Sequence, residues 1–292
     1  MKRLIASFFV ALVLGVTTAW AQQPGDGKYM LQNGNVTIVI DAAHGGRIVS
    51  YKYGEQEALS QLTWPESFGS TFWTSPQREW NWPPVPEFDK QPYTVEAADD
   101  EVIRMVSNVS ARLGFKIRKT ITLGENRSFL ITYTIINESN EPKKVAPWEI
   151  TRVPNEGGLI FFKAPLAGIT PAGLMNFREA FGAVWYQTDE ANQNRKINAD
   201  GKGWLAYCNE GLLLVKAFED LDDTQPAPGE AEIQVYLNRG RTFIELESQG
   251  AYRTLQPHEE LYWTVRWYLL PSEGPAEPSE ILLQQVKALL YS

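Results

Sequence analysis

The sequence predicts an all-β fold in which two sheets pack as a sandwich, with one short helix at the C-terminus. The first observation is a hydrophobic period of two, which is clearest in residues 129–137. The second is that clusters of Gly, Asn, Asp and Pro separate the alternating runs at hairpin or loop length. The third is that no helical periodicity lies between these runs, which argues against a fold of alternating strands and helices.

The individual elements follow from the same pattern. Near the C-terminus, Pro278 and Ser279 offer a helix start, and the apolar residues after them recur at helical spacing through Tyr291. In chain order, the predicted strands are residues 36–40, 47–53, 102–107, 116–123, 129–137, 158–162, 203–208, 212–218, 232–237, 242–247 and 261–269.

The N-terminus has the pattern of a secretory signal. Two positive residues and an uncharged apolar run, residues 4–16, precede Ala19 and Ala21, the small residues that a signal peptidase reads. The apolar run is too short to span a bilayer as a helix, which needs about 20 residues. We therefore expect a signal peptide over residues 1–21 and an exported chain, residues 22–292, that forms a single domain in the periplasm or outside the cell.

The charge balance restricts the possible partners. The chain has 35 acidic and 27 basic residues and a formal net charge of −8. Without a basic surface to replace counterions, neither nucleic acid nor an anionic membrane is an expected partner. We expect a carbohydrate ligand, for the reasons given below, and no membrane insertion once the signal is cleaved; the oligomeric state is left open.

Several common chemistries lack their sequence patterns. Cys208 is the single cysteine, so no intramolecular disulfide can form, and it lies in a strand-like run as a small buried residue. No glycine-rich phosphate loop and no Cys/His spacing for zinc occur, so neither a cofactor nor a metal is expected. A hydrolase elbow of the Gly-x-Ser-x-Gly type is also missing.

Residues 64–93, the aromatic segment, break the strand pattern and read as a long loop. They hold four tryptophans and six interleaved prolines, and a loop of this length inside a compact domain is usually functional when it is not disordered. Indole rings stack on the C–H face of a sugar, and nearby polar groups bind its hydroxyls. Alternatively, the tryptophans close one end of the core. The candidate ligand-binding residues here are Trp73, Gln77, Arg78, Trp80 and Trp82.

Two further groups of residues are candidates. A strand after the turn at residues 137–142 carries Trp148, Glu149 and Arg152. In residues 242–247, Glu245 and Glu247 share one face of a strand, because side chains alternate. Paired carboxylates on a sheet face either serve acid–base chemistry or form a solvated outer face.

These places also carry a family resemblance. The chain resembles galactose mutarotases (aldose 1-epimerases) in order and spacing over most of its length, on residues 45–48, 137–142, 244–247 and 255–259. Residues 73–77 and 80–84 look like the signature of a secreted bacterial family with that fold. The resemblance implies a galactose-mutarotase-like β-supersandwich whose concave sheet face binds carbohydrate.

The resemblance implies only half of the catalytic machinery. Mutarotases use a Glu base, which Glu247 or the neighbouring Glu245 matches, and a His acid. The stretch that corresponds to the histidine reads Ala-Pro-Trp-Glu and ends at Glu149, so Glu149 or His44 would have to replace it. Two hypotheses follow: an exported carbohydrate-binding protein, possibly an accessory module in glycan use, or a sugar-modifying enzyme, an epimerase or eliminating enzyme. A third is an envelope scaffold whose tryptophans are all core.

Overall fold

The computed structural model describes residues 26–62 and 67–291. The predicted signal peptide, residues 1–21, lies outside the described residues, as does Trp64 of the aromatic segment. Within the described part, β-strands dominate and form two large sheets. No helix in this part is long and apolar enough to cross a membrane.

The strands are short to medium in length. In chain order they are β1 (Lys28–Asn33), β2 (Val36–Asp41), β3 (Arg47–Tyr53), β4 (Gln56–Glu57), β5 (Ser70–Ser75), β6 (Thr94–Ala98), β7 (Val102–Val106), β8 (Phe115–Leu123), β9 (Phe129–Asn137), β10 (Lys143–Val153), β11 (Leu159–Phe162), β12 (Arg178–Ala180), β13 (Ala183–Gln187), β14 (Arg195–Ala199), β15 (Trp204–Asn209), β16 (Leu212–Ala217), β17 (Ile233–Leu237), β18 (Ile244–Gln249), β19 (Arg253–Leu255) and β20 (Glu260–Pro271).

The strands form two antiparallel sheets of ten strands each. The first sheet has the order β1-β2-β3-β5-β10-β18-β17-β14, with β4 paired to β3 and β19 paired to β10. The second has the order β12-β13-β11-β15-β16-β20-β9-β8-β7-β6. This architecture confirms the prediction of an all-β sandwich.

Aromatic side chains join the two sheets across the core. Phe72 of the first sheet stacks on Tyr133 of the second, with ring centroids 4.4 Å apart. Tyr51 meets the edges of Phe129 and Trp267 at 6.1 Å and 5.3 Å. Such pairs add about 0.5–1.5 kcal/mol each beyond the area that they bury. The inner faces therefore form one largely apolar core between the sheets.

The helical elements are short. The C-terminal helix α2 (Glu280–Leu290) follows α1 (Pro86–Asp89) and three single-turn 3-10 helices, Gln77–Glu79, Glu125–Arg127 and Leu166–Gly168. The Ser279 hydroxyl accepts a hydrogen bond from the Leu282 amide at 3.4 Å, which confirms the predicted helix start. Leu282, Leu283 and Val286 are buried.

Each predicted strand overlaps an observed one, but the prediction that the aromatic segment is a loop was wrong in part. Its residues 70–75 form β5, which pairs with β10 in the middle of the first sheet. All six side chains of β5 are buried. Because both faces of β5 are covered, the strand shows no alternation of polar and apolar residues. The prolines of the aromatic segment lie outside the strand.

Candidate functional site

The register of the first sheet brings the candidate residues onto its outer face. On β10, Trp148 lies opposite Trp73 of β5, and Arg152 lies opposite Glu245 of β18. Because alternate side chains share a face, Glu247 lies on the same side as Glu245. The adjoining strands extend this face with Tyr236 and Lys196, in that order, beyond Glu245.

A cavity of about 410 Å³ opens on this face. Its volume lies within the range of sites for small molecules. The aromatic segment forms one wall and the ends of β14, β17 and β18 form the other. The lining residues are Ser67, Trp73, Gln77, Trp82, Pro84, Asp89, Trp148, Lys196, Tyr236, Asn238, Phe243 and Glu245.

Trp73 lies at the centre of a cluster of four tryptophans. The Trp73 ring meets Trp148, Trp80 and Trp82 edge-on, at 5.2, 5.6 and 6.1 Å between centroids. Trp80 is buried and its Nε1 donates to the Thr74 carbonyl at 2.7 Å. Trp82 is 65% exposed. Trp80 therefore supports the wall from behind, as the core alternative proposed, whereas Trp82 presents its ring to the cavity.

A buried carboxylate fixes the orientation of Trp73. Asp89, at the end of α1, accepts hydrogen bonds from Trp73 Nε1 at 2.8 Å and from Thr71 Oγ1 at 2.9 Å through Oδ1. Its Oδ2 accepts from Arg47 Nη2 at 2.7 Å. The carboxylate is thus satisfied by protein groups, and its charge is compensated. Asp89 lines the cavity but acts mainly as a support.

The Gly45-Gly46 turn packs against the same support. Gly45 has a φ of +66°, and a Cβ on it would lie 2.3 Å from the Asp89 carbonyl oxygen. No other residue type fits so close an approach with that backbone conformation. One of the motifs that carries the family resemblance therefore contacts the residue that orients Trp73.

Glu247 is fully buried and partly satisfied. Its Oε2 accepts from Trp148 Nε1 at 2.8 Å and from Lys196 Nζ at 3.0 Å. Its Oε1 has no hydrogen-bond partner among the described residues. Burial raises the pKa of Glu247 to about 7. The positive charge of Lys196 lowers this pKa, and the negative charge of Glu245 raises it by a smaller amount.

Glu245 and Arg152 form an ion pair at the cavity wall. Arg152 Nη2 lies 2.7 Å from Glu245 Oε1, and both side chains are buried. Arg152 Nη1 also donates to the Phe68 carbonyl at 3.2 Å. The two carboxylates of β18 thus differ in their access to the cavity. Glu245 lines the cavity, whereas Glu247 is buried next to Trp148 and Lys196.

Known structures share this architecture. No protein-family model matches the sequence, and no curated protein does either. A protein of Escherichia coli K12 described as a candidate aldose 1-epimerase superposes with a TM-score of 0.61 at 11% identity, over 84% of this chain and 99% of that one. A galactose mutarotase-like protein from Lactobacillus casei gives 0.59 at 11% identity, over 84% and 100%. A galactose mutarotase related enzyme from Lactobacillus acidophilus gives 0.57 at 12% identity, over 86% and 100%.

The chain has the galactose mutarotase-like fold. At these identities the likeness establishes the fold and confirms the expected resemblance to that superfamily. The ligand and the chemistry have to be argued from this chain's own residues.

Glu149, predicted as a site residue, does not line the cavity and lies on the other face of the first sheet. It follows Trp148 directly and therefore faces the core. Its Oε1 contacts Lys216 Nζ at 2.8 Å and Trp267 Nε1 at 3.1 Å, and its Oε2 accepts from the Tyr133 hydroxyl at 2.7 Å. Glu149 is therefore enclosed on the face opposite to the cavity.

Two other predicted residues also lie away from the cavity. The His44 side chain is 61% exposed and its Nδ1 lies 2.9 Å from Asp41 Oδ2. Arg78 is exposed and lies 3.8 Å from the carboxylate of Glu79. Neither residue lines the cavity. Gln77 does line the cavity, and its backbone N–H donates to Glu230 Oε1 at 3.0 Å.

Lys196, Tyr236, Asn238 and Phe243 line the cavity but were not predicted. Lys196 lies on β14, a five-residue strand that is not among the predicted strands. Lys196 and Asn198 alternate with the apolar residues Ile197 and Ala199, and this short alternation is the signal that could have predicted the strand.

Proposed function

We propose that the protein binds a carbohydrate in the cavity between the aromatic segment and the outer face of the first sheet. The observation that carries this proposal is that the exposed ring of Trp82, next to Trp73, faces the same cavity as the polar groups of Gln77, Lys196 and Glu245. Export with cleavage after residue 21 and an accessory role in glycan use complete the proposal.

The chemistry of a pyranose fits these walls. Its C–H face is apolar and packs on an indole ring, whereas its rim carries hydroxyls that both donate and accept hydrogen bonds. The cavity offers ammonium and amide donors and carboxylate acceptors within a space of about 410 Å³. The supports behind the walls, Asp89 and Trp80, are already satisfied, so little ordering opposes binding.

The experiment is a glycan-array screen followed by calorimetry with the glycans that bind. Replacing Trp82 with Ala should weaken binding by about 1–3 kcal/mol, the loss expected for an aromatic anchor. The matched control is Tyr262→Ala, because Tyr262 is 63% exposed but lies on the second sheet. Equal affinities for the two variants, or no glycan bound at all, would contradict the proposal.

A second candidate is a sugar-modifying enzyme with Glu247 as the base. The pKa of about 7 at Glu247 suits proton transfer near neutral pH, and its Oε1 is not engaged by any described residue. Saturation-transfer NMR on the anomeric protons of glucose and galactose distinguishes the two candidates. Exchange far above the spontaneous rate that disappears in Glu247→Gln favours the enzyme, whereas spontaneous exchange together with measurable affinity favours binding.

Export is tested separately. N-terminal sequencing of the protein recovered outside the cytoplasm should begin at Gln22. A retained Met1 would contradict the proposed cleavage.

A further inference from the structure

Three ion pairs line or underlie this cavity, and Lys196 is the most exposed charged side chain in them. Its side chain is 33% exposed, compared with 1% for its partner Glu247. The Nζ atom lies 3.0 Å from Glu247 Oε2 and 4.6 Å from the centroid of the Trp148 ring. The ammonium group is therefore held over an aromatic ring and anchored by a buried carboxylate.

This arrangement leaves hydrogen-bonding capacity toward the cavity. An ammonium group has three N–H donors, and Nζ makes one hydrogen bond to the described residues, to Glu247. Trp148 and Glu247 restrict its position, so little side-chain entropy would be lost when it donates to a ligand. Glu247 itself is enclosed, so a ligand entering the cavity meets Lys196 first.

We propose that Lys196 is the residue that donates hydrogen bonds to the hydroxyls of a neutral sugar in this cavity, and that Glu247 acts through it as a positioning residue. This inference rests on the proposed function, because it assumes that a sugar occupies the cavity. It differs from the role that the family resemblance implies for Glu247, since the group in contact with the ligand is the lysine.

The charges around the cavity favour a neutral ligand. Asp89 is paired with Arg47, Glu245 with Arg152, and Lys196 with Glu247. No lining carboxylate or ammonium group in the described chain is therefore left without a counter-charge. An anionic sugar would meet Lys196 with a carboxylate directly behind it, and so would gain little from the positive charge.

The pair makes binding depend on pH. The charged or titratable groups that face Glu247 are Lys196 on β14, Tyr236 on β17 and Glu245 on its own strand, and Lys216 on β16 interacts with it electrostatically from the core side of the sheet. The pKa of Glu247 is raised to about 7. At higher pH the ionised carboxylate holds the Lys196 ammonium group in place, and as the pH falls through this value the carboxylate becomes protonated and releases it. A neutral sugar should then bind more weakly at pH 6 than at pH 8, and an anionic sugar more tightly.

The binding test uses D-galactose, D-glucose and D-mannose as neutral probes and D-galacturonate as the charged comparison. At pH 8, Lys196→Met should weaken binding of the neutral probe about 10-fold or more, the range for a hydrogen bond to a charged group. Lys196→Arg should retain most of the affinity. The control Lys202→Met should change nothing, because Lys202 is 43% exposed and also pairs with carboxylates, but outside the cavity.

The positioning role has a readout that needs no ligand. Trp148 Nε1 donates to Glu247, so its ¹⁵N shift should titrate with a midpoint near pH 7 and move to higher pH in Lys196→Met. An unchanged midpoint, or a bound neutral sugar whose affinity is the same in Lys196→Met, would overturn the inference and leave the proposed function intact. If none of the neutral probes binds, the inference fails together with the proposed function for these sugars.

Discussion

Two buried carboxylates, Glu149 and Glu247, lie on neighbouring strands and face opposite sides of the first sheet. Glu149 points into the core, where Lys216, Trp267 and Tyr133 satisfy it. Glu247 points outward to the cavity side and keeps one oxygen without a partner among the described residues. The same residue type therefore has a fully satisfied carboxylate at one position and a partly satisfied one at the other, because the sheet face decides its surroundings.

The core role of Glu149 can be tested by stability. Glu149→Leu leaves Lys216 buried without a counter-charge, which should lower the free energy of unfolding by about 3–5 kcal/mol. The double variant Glu149→Leu/Lys216→Met removes both charges and should recover most of this loss. Urea unfolding measures both variants. A single variant as stable as wild type would contradict the core assignment.

At the scale of elements, the aromatic segment is held against the first sheet by a polar network. Glu230, in the connection between β16 and β17, accepts a hydrogen bond from the backbone N–H of Gln77 at 3.0 Å through Oε1. Its Oε2 accepts from Gln234 Nε2 at 3.0 Å and from Gln249 Nε2 at 3.2 Å. One carboxylate thus links the 3-10 turn of the aromatic segment to strands β17 and β18.

Removing this link should affect the ligand more than the fold. Glu230→Ala should weaken sugar binding about 3- to 10-fold, because the wall at Gln77 loses a charge-assisted hydrogen bond and becomes less ordered. Amide hydrogen exchange over residues 77–82 should become faster. Glu219→Ala is the matched control on the same connection, since Glu219 is exposed and lies 4.0 Å from Arg253. Equal binding by the two variants would show that Glu230 does not position the wall.

At the scale of the whole molecule, the fold could be predicted because its signals are local. Alternation within each strand and turn residues between strands are readable in windows of ten residues. Strand β5 was not predicted because both of its faces are buried. The direction of the Glu149 side chain could not be predicted either, because β10 is buried on both faces from Val145 onward. A strand with no polar face gives no sign of which side faces the core.

The cavity was less predictable because it joins distant parts of the chain. Trp73, Trp82 and Trp148 came from aromatic density and from the resemblance, whereas Lys196 and Asn238 lie more than 40 residues from the nearest of these in the sequence. Only the pairing of β14, β17 and β18 with β10 brings them together. Long-range strand order is not contained in local periodicity, so these residues had to be found in the structure.

Whether this cavity binds a carbohydrate is tested most directly by a crystal structure of the protein with a glycan selected from the array. We expect a sugar ring in the cavity, with its C–H face against Trp82 and a hydroxyl within hydrogen-bond distance of Lys196 Nζ. A glycan bound at another surface, with this cavity occupied only by solvent, would show that the cavity is not the carbohydrate site.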